Sequence, residues 1–216
     1  GTGPKAGGPL YLTKLVASPK TGPIPAGTAE NPALATYIGW LETQSDTGAA
    51  AAAVKEIARA SRLGQEIELP GPVGERNLYA LHPRGRVALS ARTATGLRIQ
   101  FGAVLATGNS AVISTKAGAD MLAGLPRSVT ARIIHADEPM THDGIAAALV
   151  EGNAEDVLLA FRLLAERSGA IVPLQSATPE ALAGGDGYML DWLLEEVSTS
   201  INTTAAGGNA SLMAVA

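Results

Sequence analysis

PRGRVALSARTATGLRIQFGAVLATGNSAVI, running from Pro83 to Ile113, places a strand, a helix and a second strand in one short run. Residues 86–91 carry an apolar centre, Val87-Ala88-Leu89, and predict a strand. Residues 95–107 set Leu97, Phe101, Val104 and Leu105 on one helical face. Gly108 stands where a helix commonly ends in a left-handed residue, and residues 110–114 predict the next strand.

Working outward, the alternation continues. The pattern predicts a short helix over 117–125 and strands over 129–134 and 145–150. Asn153 then caps a helix with Glu155 and Asp156 in its first turn, with Val157, Leu158, Phe161, Leu164 and Ala165 inward and Arg167 at its C-terminal end. A strand over 170–174 and a last helix over 187–196, with Met189, Trp192 and Leu193 inward, complete the reading. Strand–helix–strand alternation with short connections predicts a parallel sheet covered by helices on both faces, an α/β Rossmann-like domain. Upstream, LYLTKLVA (10–17) suits one strand, residues 18–31 are Pro- and Gly-rich and read as an extended linker, and 69–74 (LPGPVG) break the chain again. Helices are predicted over 32–41, with Pro32 in the first turn, and over 46–63, with Val54, Ile57 and Ala58 on one side.

Composition narrows the chemistry. The 216 residues carry no cysteine, which excludes disulfides, thiolate metal sites and a cysteine nucleophile. Charged residues are 17% and the net charge is −4, with Lys and Arg scattered, so no basic stripe marks a nucleic-acid surface. No run approaches the roughly 18 apolar residues of a membrane span, and no signal peptide is legible. The expectation is a soluble cytoplasmic piece of something longer.

Both ends carry motifs. The first eight residues, GTGPKAGG, hold four glycines, whose amides can converge on an anion as a backbone nest. The last, SINTTAAGGNASLMAVA (200–216), sets apolar residues around a Gly-Gly-Asn turn. Val197 and Ile201 among polar neighbours suit an edge strand that offers its backbone to another sheet.

This tail resembles the C-terminal signature of bacterial proline utilization A proteins, and GTGPKAGGPLYL resembles the final loop and strand of their aldehyde dehydrogenase half. Residues 83–113 resemble the first strand–helix–strand unit of the aldehyde dehydrogenase coenzyme domain, with Leu105-Ala106-Thr107-Gly108-Asn109 preserving the helix end. The departures fall where that family holds its coenzyme and oxyanion. Its Pro-Trp-Asn turn is replaced by Ala91-Arg92-Thr93-Ala94-Thr95, and its Lys-Pro pair by Ser114-Thr115-Lys116-Ala117. No GxGxxG follows a predicted strand. The resemblance implies a bifunctional parent that oxidises proline with FAD and glutamate semialdehyde with NAD. It also implies a degenerate coenzyme-like domain acting as a lid over the route between active sites.

By that match Gly7 and Gly8 would anchor the substrate carboxylate through backbone N–H groups; the alternative is an ordinary flexible turn. The expected organisation is 1–17 as the end of a semialdehyde dehydrogenase domain, 18–48 as linker with a short helix, 49–196 as the Rossmann-like domain and 197–216 as the tail. No catalytic, cofactor-binding or metal residue is expected here, NAD and FAD belonging to the parent. The expected partners are upstream dehydrogenase domains and further copies joined through flap and tail, with the parent peripheral at the inner membrane to pass electrons to quinone. An autonomous nucleotide-binding module and a purely structural assembly domain are the alternatives. The group His135, Asp137, Glu138, His142 and Asp143 matches no metal spacing, with Pro139 breaking any aligning helix, and reads as a solvated loop. Glu195 and Glu196 read as a water-facing helix end.

Overall fold

The computed structural model describes residues 8–11, 15, 24–27, 29–121 and 123–203. Two helices, α1 (Pro32–Thr43) and α2 (Gly48–Ala60), precede a hairpin of β1 (Glu66–Leu69) and β2 (Glu75–Pro83). The alternating segment follows as β3 (Arg86–Ser90), α3 (Ala94–Ala106), β4 (Ser110–Ser114), α4 (Thr115–Met121), α5 (Arg127–Thr130) and β5 (Ile133–Ala136). Next come β6 (Ile145–Glu151), α6 (Ala154–Ala165), β7 (Leu174–Ala177), α7 (Pro179–Ala183) and β8 (Leu194–Asn202). Five strands form a parallel sheet in the order β5-β4-β3-β6-β7, and the other three an antiparallel sheet in the order β1-β2-β8.

Alternation along each parallel strand divides the core in two. Val87, Leu89, Ala111, Ile113, Ala147 and Leu149 face α1, α2 and α3, while Ala88, Val112, Ala148 and Val150 face Met140 and Ala160 on the other side. Helix α3 is buried nearly all round, because α1 and α2 cover the side that the sheet does not. Asn31 starts α1: its Oδ1 accepts the Leu34 N–H at 3.0 Å and its Nδ2 donates to the Leu105 carbonyl at 2.7 Å. Tyr37 then packs edge-on against Phe101 and donates its hydroxyl to the Arg98 carbonyl.

One buried side chain ties several segments together at the junction between the two sheets. Gly108 takes φ +71° to end α3, and the next residue, Asn109, is buried. Its Oδ1 accepts the Gly85 N–H at 2.7 Å, while its Nδ2 donates to the Leu193 carbonyl and the Thr107 hydroxyl at 2.8 Å each. That amide locks the entry to β3, the exit of α3 and the start of β8 together.

Several expectations are corrected. Leu10 and Tyr11 lie in a turn closed by the Tyr11 N–H on the Gly8 carbonyl, and Leu15 in a 3-10 turn, so a strand over 10–17 is not formed at the described residues. Residues 127–130 are a helical turn, and β5 begins only at Ile133. Strand β7 starts at Leu174, after Pro173, which has no N–H to give a ladder. The helix expected over 187–196 is a 3-10 turn at Leu190–Leu193 followed by strand. Pairing with β2 over nine positions outweighs a short amphipathic helix. The β1–β2 hairpin on either side of LPGPVG is an addition of the structure. On α6, Ala160 is buried with Val157 and Leu164 against the core, whereas Leu158, Phe161 and Ala165 point outward.

Candidate functional site at the strand ends

Gly7 and the tail from 204 onward lie outside the described residues. Gly8 is half-buried, and its carbonyl accepts the Tyr11 N–H at 3.0 Å. Two residues on, Leu10 is fully buried with Ile24, Tyr79, Leu81 and Leu194, so the exit of the glycine loop is fastened to the antiparallel sheet. The edge strand expected around Val197 and Ile201 is present as β8, paired on one side with β2.

In an open parallel sheet, ligands bind where strand order reverses, beyond the C-terminal strand ends. Here that point lies between β3 and β6. The loop after β3 carries Arg92 and Thr93, and β6 ends in Glu151, whose carboxylate is buried within the protein. One carboxylate oxygen, Oε2, accepts the backbone N–H groups of Arg92 and Thr93 at 2.8 Å each. The other, Oε1, accepts the Thr93 hydroxyl at 2.7 Å, and that hydroxyl accepts the Gly96 N–H at 2.8 Å as the N-cap of α3. A Cβ on Gly96 would overlap the Glu151 carboxylate, so the glycine makes the room.

A second contact crosses the same point in the opposite sense. The Arg92 guanidinium forks onto Asp156 of α6, with Nε to Oδ2 at 2.6 Å and Nη2 to Oδ1 at 2.7 Å. Asp156 also accepts the Asn153 N–H at 2.8 Å, and Asn153 Oδ1 accepts the N–H groups of Glu155 and Asp156, completing a capping box. The Arg92 hydrogen bond, then the Asn153 N–H, hold the Asp156 carboxyl below the usual carboxylate range. Each strand end thus supplies the group that caps or clamps the helix following the other.

A cleft of about 1140 Å³ opens beside this clasp, with Thr47, Ala51, Thr95, Gly96, Glu151 and Leu182 among its walls. Charges at its margin are paired across and along α2, Lys55 with Glu42 and Arg59 with Glu56. Elsewhere in the core, the Tyr188 hydroxyl donates to the Val150 carbonyl at 3.1 Å and accepts Gln100 Nε2 at 2.8 Å; burial raises its pKa. Among the described residues no group of three His, Asp or Glu side chains stands ready for a metal. Glu138 caps the 3-10 turn at Pro139–Thr141, and Arg167 donates to the Met140 and His142 carbonyls. Glu196 is not a helix end facing water: it accepts the Tyr79 hydroxyl at 2.6 Å from within β8.

Sequence reasoning found Asn153 as the cap of α6, with Asp156 in its first turn, and missed the rest of the clasp. Its one signal was Glu151, a carboxylate closing an otherwise apolar strand.

No family model matches the chain. Curated relatives do: it is 44% identical over 217 residues to the bifunctional protein PutA of Rhizobium meliloti, a match that covers 100% of this chain and 18% of the relative. The chain belongs to the PutA family. The PutA of Salmonella typhimurium is 34% identical over 229 residues, again covering all of this chain and 17% of the relative. The chain therefore spans less than a fifth of the length of these PutA proteins. Among solved structures, a crystal structure of bifunctional proline utilization A (PutA) protein matches with TM-score 0.54 and 24% identity, covering 68% of this chain and 19% of that one. An apo indole-3-acetaldehyde dehydrogenase matches with TM-score 0.52 and 15% identity over 68% of this chain and 42% of its own. These two share the fold, and the α/β architecture with its parallel sheet is that of PutA and aldehyde dehydrogenases.

No helix among the described residues is long and apolar enough to cross a membrane.

Proposed function

We propose that this segment is a non-catalytic part of a bifunctional enzyme that oxidises proline to glutamate. In this reading it is a lid domain, with an oligomerisation flap, over the cavity through which the semialdehyde intermediate is channelled. The observation that carries the reading is identity to PutA along the whole chain. The absence of cysteine supports it, since the dehydrogenase thiol must then come from another part of the polypeptide. Gly7 and Gly8 anchor the substrate carboxylate, and FAD and NAD are held by the upstream domains, which are the partners of this piece. The assembly is cytoplasmic, homo-oligomeric through flap and tail, and peripheral at the inner membrane.

A docking lid needs a surface to dock with, and α6 offers one. Leu158, Leu159 and Phe161 stand more than half exposed, and Leu158 and Phe161 border Ser176 and Ala177 of β7, an edge strand of the parallel sheet. In our reading the covering partner is the remaining PutA polypeptide. The test uses the complete PutA protein bearing Leu158→Asp and Phe161→Asp. Coupled turnover of proline to glutamate should fall severalfold, with a lag before NADH appears, while each half-reaction keeps its rate. Unchanged coupled turnover would count against the lid.

A second reading, an autonomous nucleotide-binding module, would use the cleft at the switch point. NAD raising the melting temperature of this chain would support it.

A further inference from the structure

Both helix N-termini at the switch point are supplied with an anion by the chain itself, and one of those anions is buried. We propose that the N-terminus of α3 is an anion-binding site filled from within, with the Glu151 carboxylate as its ligand. Three observations converge on this assignment. The carboxylate is only 2% exposed, yet three donors reach it within 2.8 Å, two of them successive backbone amides of Arg92 and Thr93. That is the coordination a nest and a helix N-terminus give to a phosphate or carboxylate. The room for it exists because residue 96 lacks a Cβ, which would collide with both carboxylate oxygens. The cleft has Thr95, Gly96 and Glu151 on one wall, so a small solute there reaches the same donors once the carboxylate is gone.

The consequence concerns ligands. A dinucleotide on this sheet would bring its pyrophosphate to these donors. It would have to displace a tethered carboxylate, present at the high effective concentration of an intramolecular group. Failing that, it would place like charges side by side at the helix end. Arg92 does not relieve this, because its guanidinium is forked onto Asp156. The coenzyme therefore does not fit the residues present, and Glu151 is the reason.

The test is anion rescue in this chain. Thermal melts of wild type and Glu151→Ala are recorded in sodium formate and, at matched ionic strength, in sodium chloride. Formate should raise the melting temperature of Glu151→Ala by roughly 3–6 °C above chloride when it greatly exceeds its dissociation constant, and leave wild type where chloride leaves it. Equal formate responses in the two proteins overturn the proposal. Gly96→Ala supplies a second arm: it should lower the melting temperature of wild type and not of Glu151→Ala, and equal lowering in both overturns the assignment. Should Glu151→Ala not fold, hydrogen exchange in wild type decides. The Arg92 and Thr93 amides should exchange slowly although both residues are exposed, and exchange at open-loop rates refutes the ligation. These readouts do not involve docking, so the lid reading stands or falls separately.

Discussion

Replacing Gly102 by alanine sets two known effects against each other. Gly102 lies in the middle of α3, where alanine is favoured over glycine by about 1 kcal/mol of helix propensity. Yet α2 crosses close by here: a Cβ at 102 would sit 2.9 Å from Val54 Cγ1 and 3.2 Å from Val54 Cβ, with Cγ2 nearer still. Val54 is fully buried and β-branched, so its methyls have one preferred rotamer in a helix and no space to turn into. Its Cβ is fixed to the backbone, so α2 itself must move. Overpacking of this kind costs about 1–3 kcal/mol, and set against the propensity gain the net expectation is a loss of about 0–2 kcal/mol. At about 2–4 °C per kcal/mol for a chain of this size, the melting temperature should fall by up to about 8 °C. Val54→Ala alone should cost about 2 kcal/mol in lost methyl burial and cavity. Combined with Gly102→Ala it should cost less than the sum, because the new methyl fills part of the gap. Urea unfolding of the four proteins measures this. A Gly102→Ala variant more stable than wild type, or single effects that add within about 0.5 kcal/mol, would refute the close approach of α2 and α3.

Asn109→Ala should cost about 2–4 kcal/mol in urea unfolding, because the Gly85 N–H and Leu193 carbonyl lose their buried partner; a cost under about 0.5 kcal/mol would show that water replaces it. The Asp156 carboxyl is depressed in the folded state, so its contribution is fully present above the ordinary carboxylate range and is lost as pH falls through and below it. Melting profiles of wild type and Asp156→Asn, separated at neutral pH, should therefore converge on acidification; parallel profiles would remove the Arg92–Asp156 contact from the account. In this chain alone, Leu158→Asp and Phe161→Asp should change stability by no more than about 1 kcal/mol each, because both side chains are more than half exposed. A large loss would mean that they are packed after all.

What could be read from residues was what short-range physics controls. The β3–α3–β4 unit was legible because its apolar periods are unmixed and Gly108 marks the helix end. Asn153 was legible as the cap of α6 with Asp156 in its first turn, and the structure closes the two into a capping box. The errors fall where a long-range partner overrides a local pattern. Residues 187–196 have helical spacing, but β2 offers nine positions of ladder, and the chain takes the ladder from Leu194. Leu158 and Phe161 have the spacing of an inward face, yet Ala160 and Leu164 meet the sheet, because the angle at which α6 leaves β6 fixes which stripe turns inward.

The sequence by itself determined the α/β class, the strand-and-helix order from β3 to α4, and the lack of a cysteine nucleophile. These depend on residue type and on neighbours three or four places apart. Tertiary structure alone decided that Glu151 of β6 would meet amides 58 and 59 residues earlier in the chain. It likewise decided that Arg92 would reach across to Asp156. A carboxylate can be buried only where donors converge on it, and no pattern in the chain states where two parallel strands will end side by side.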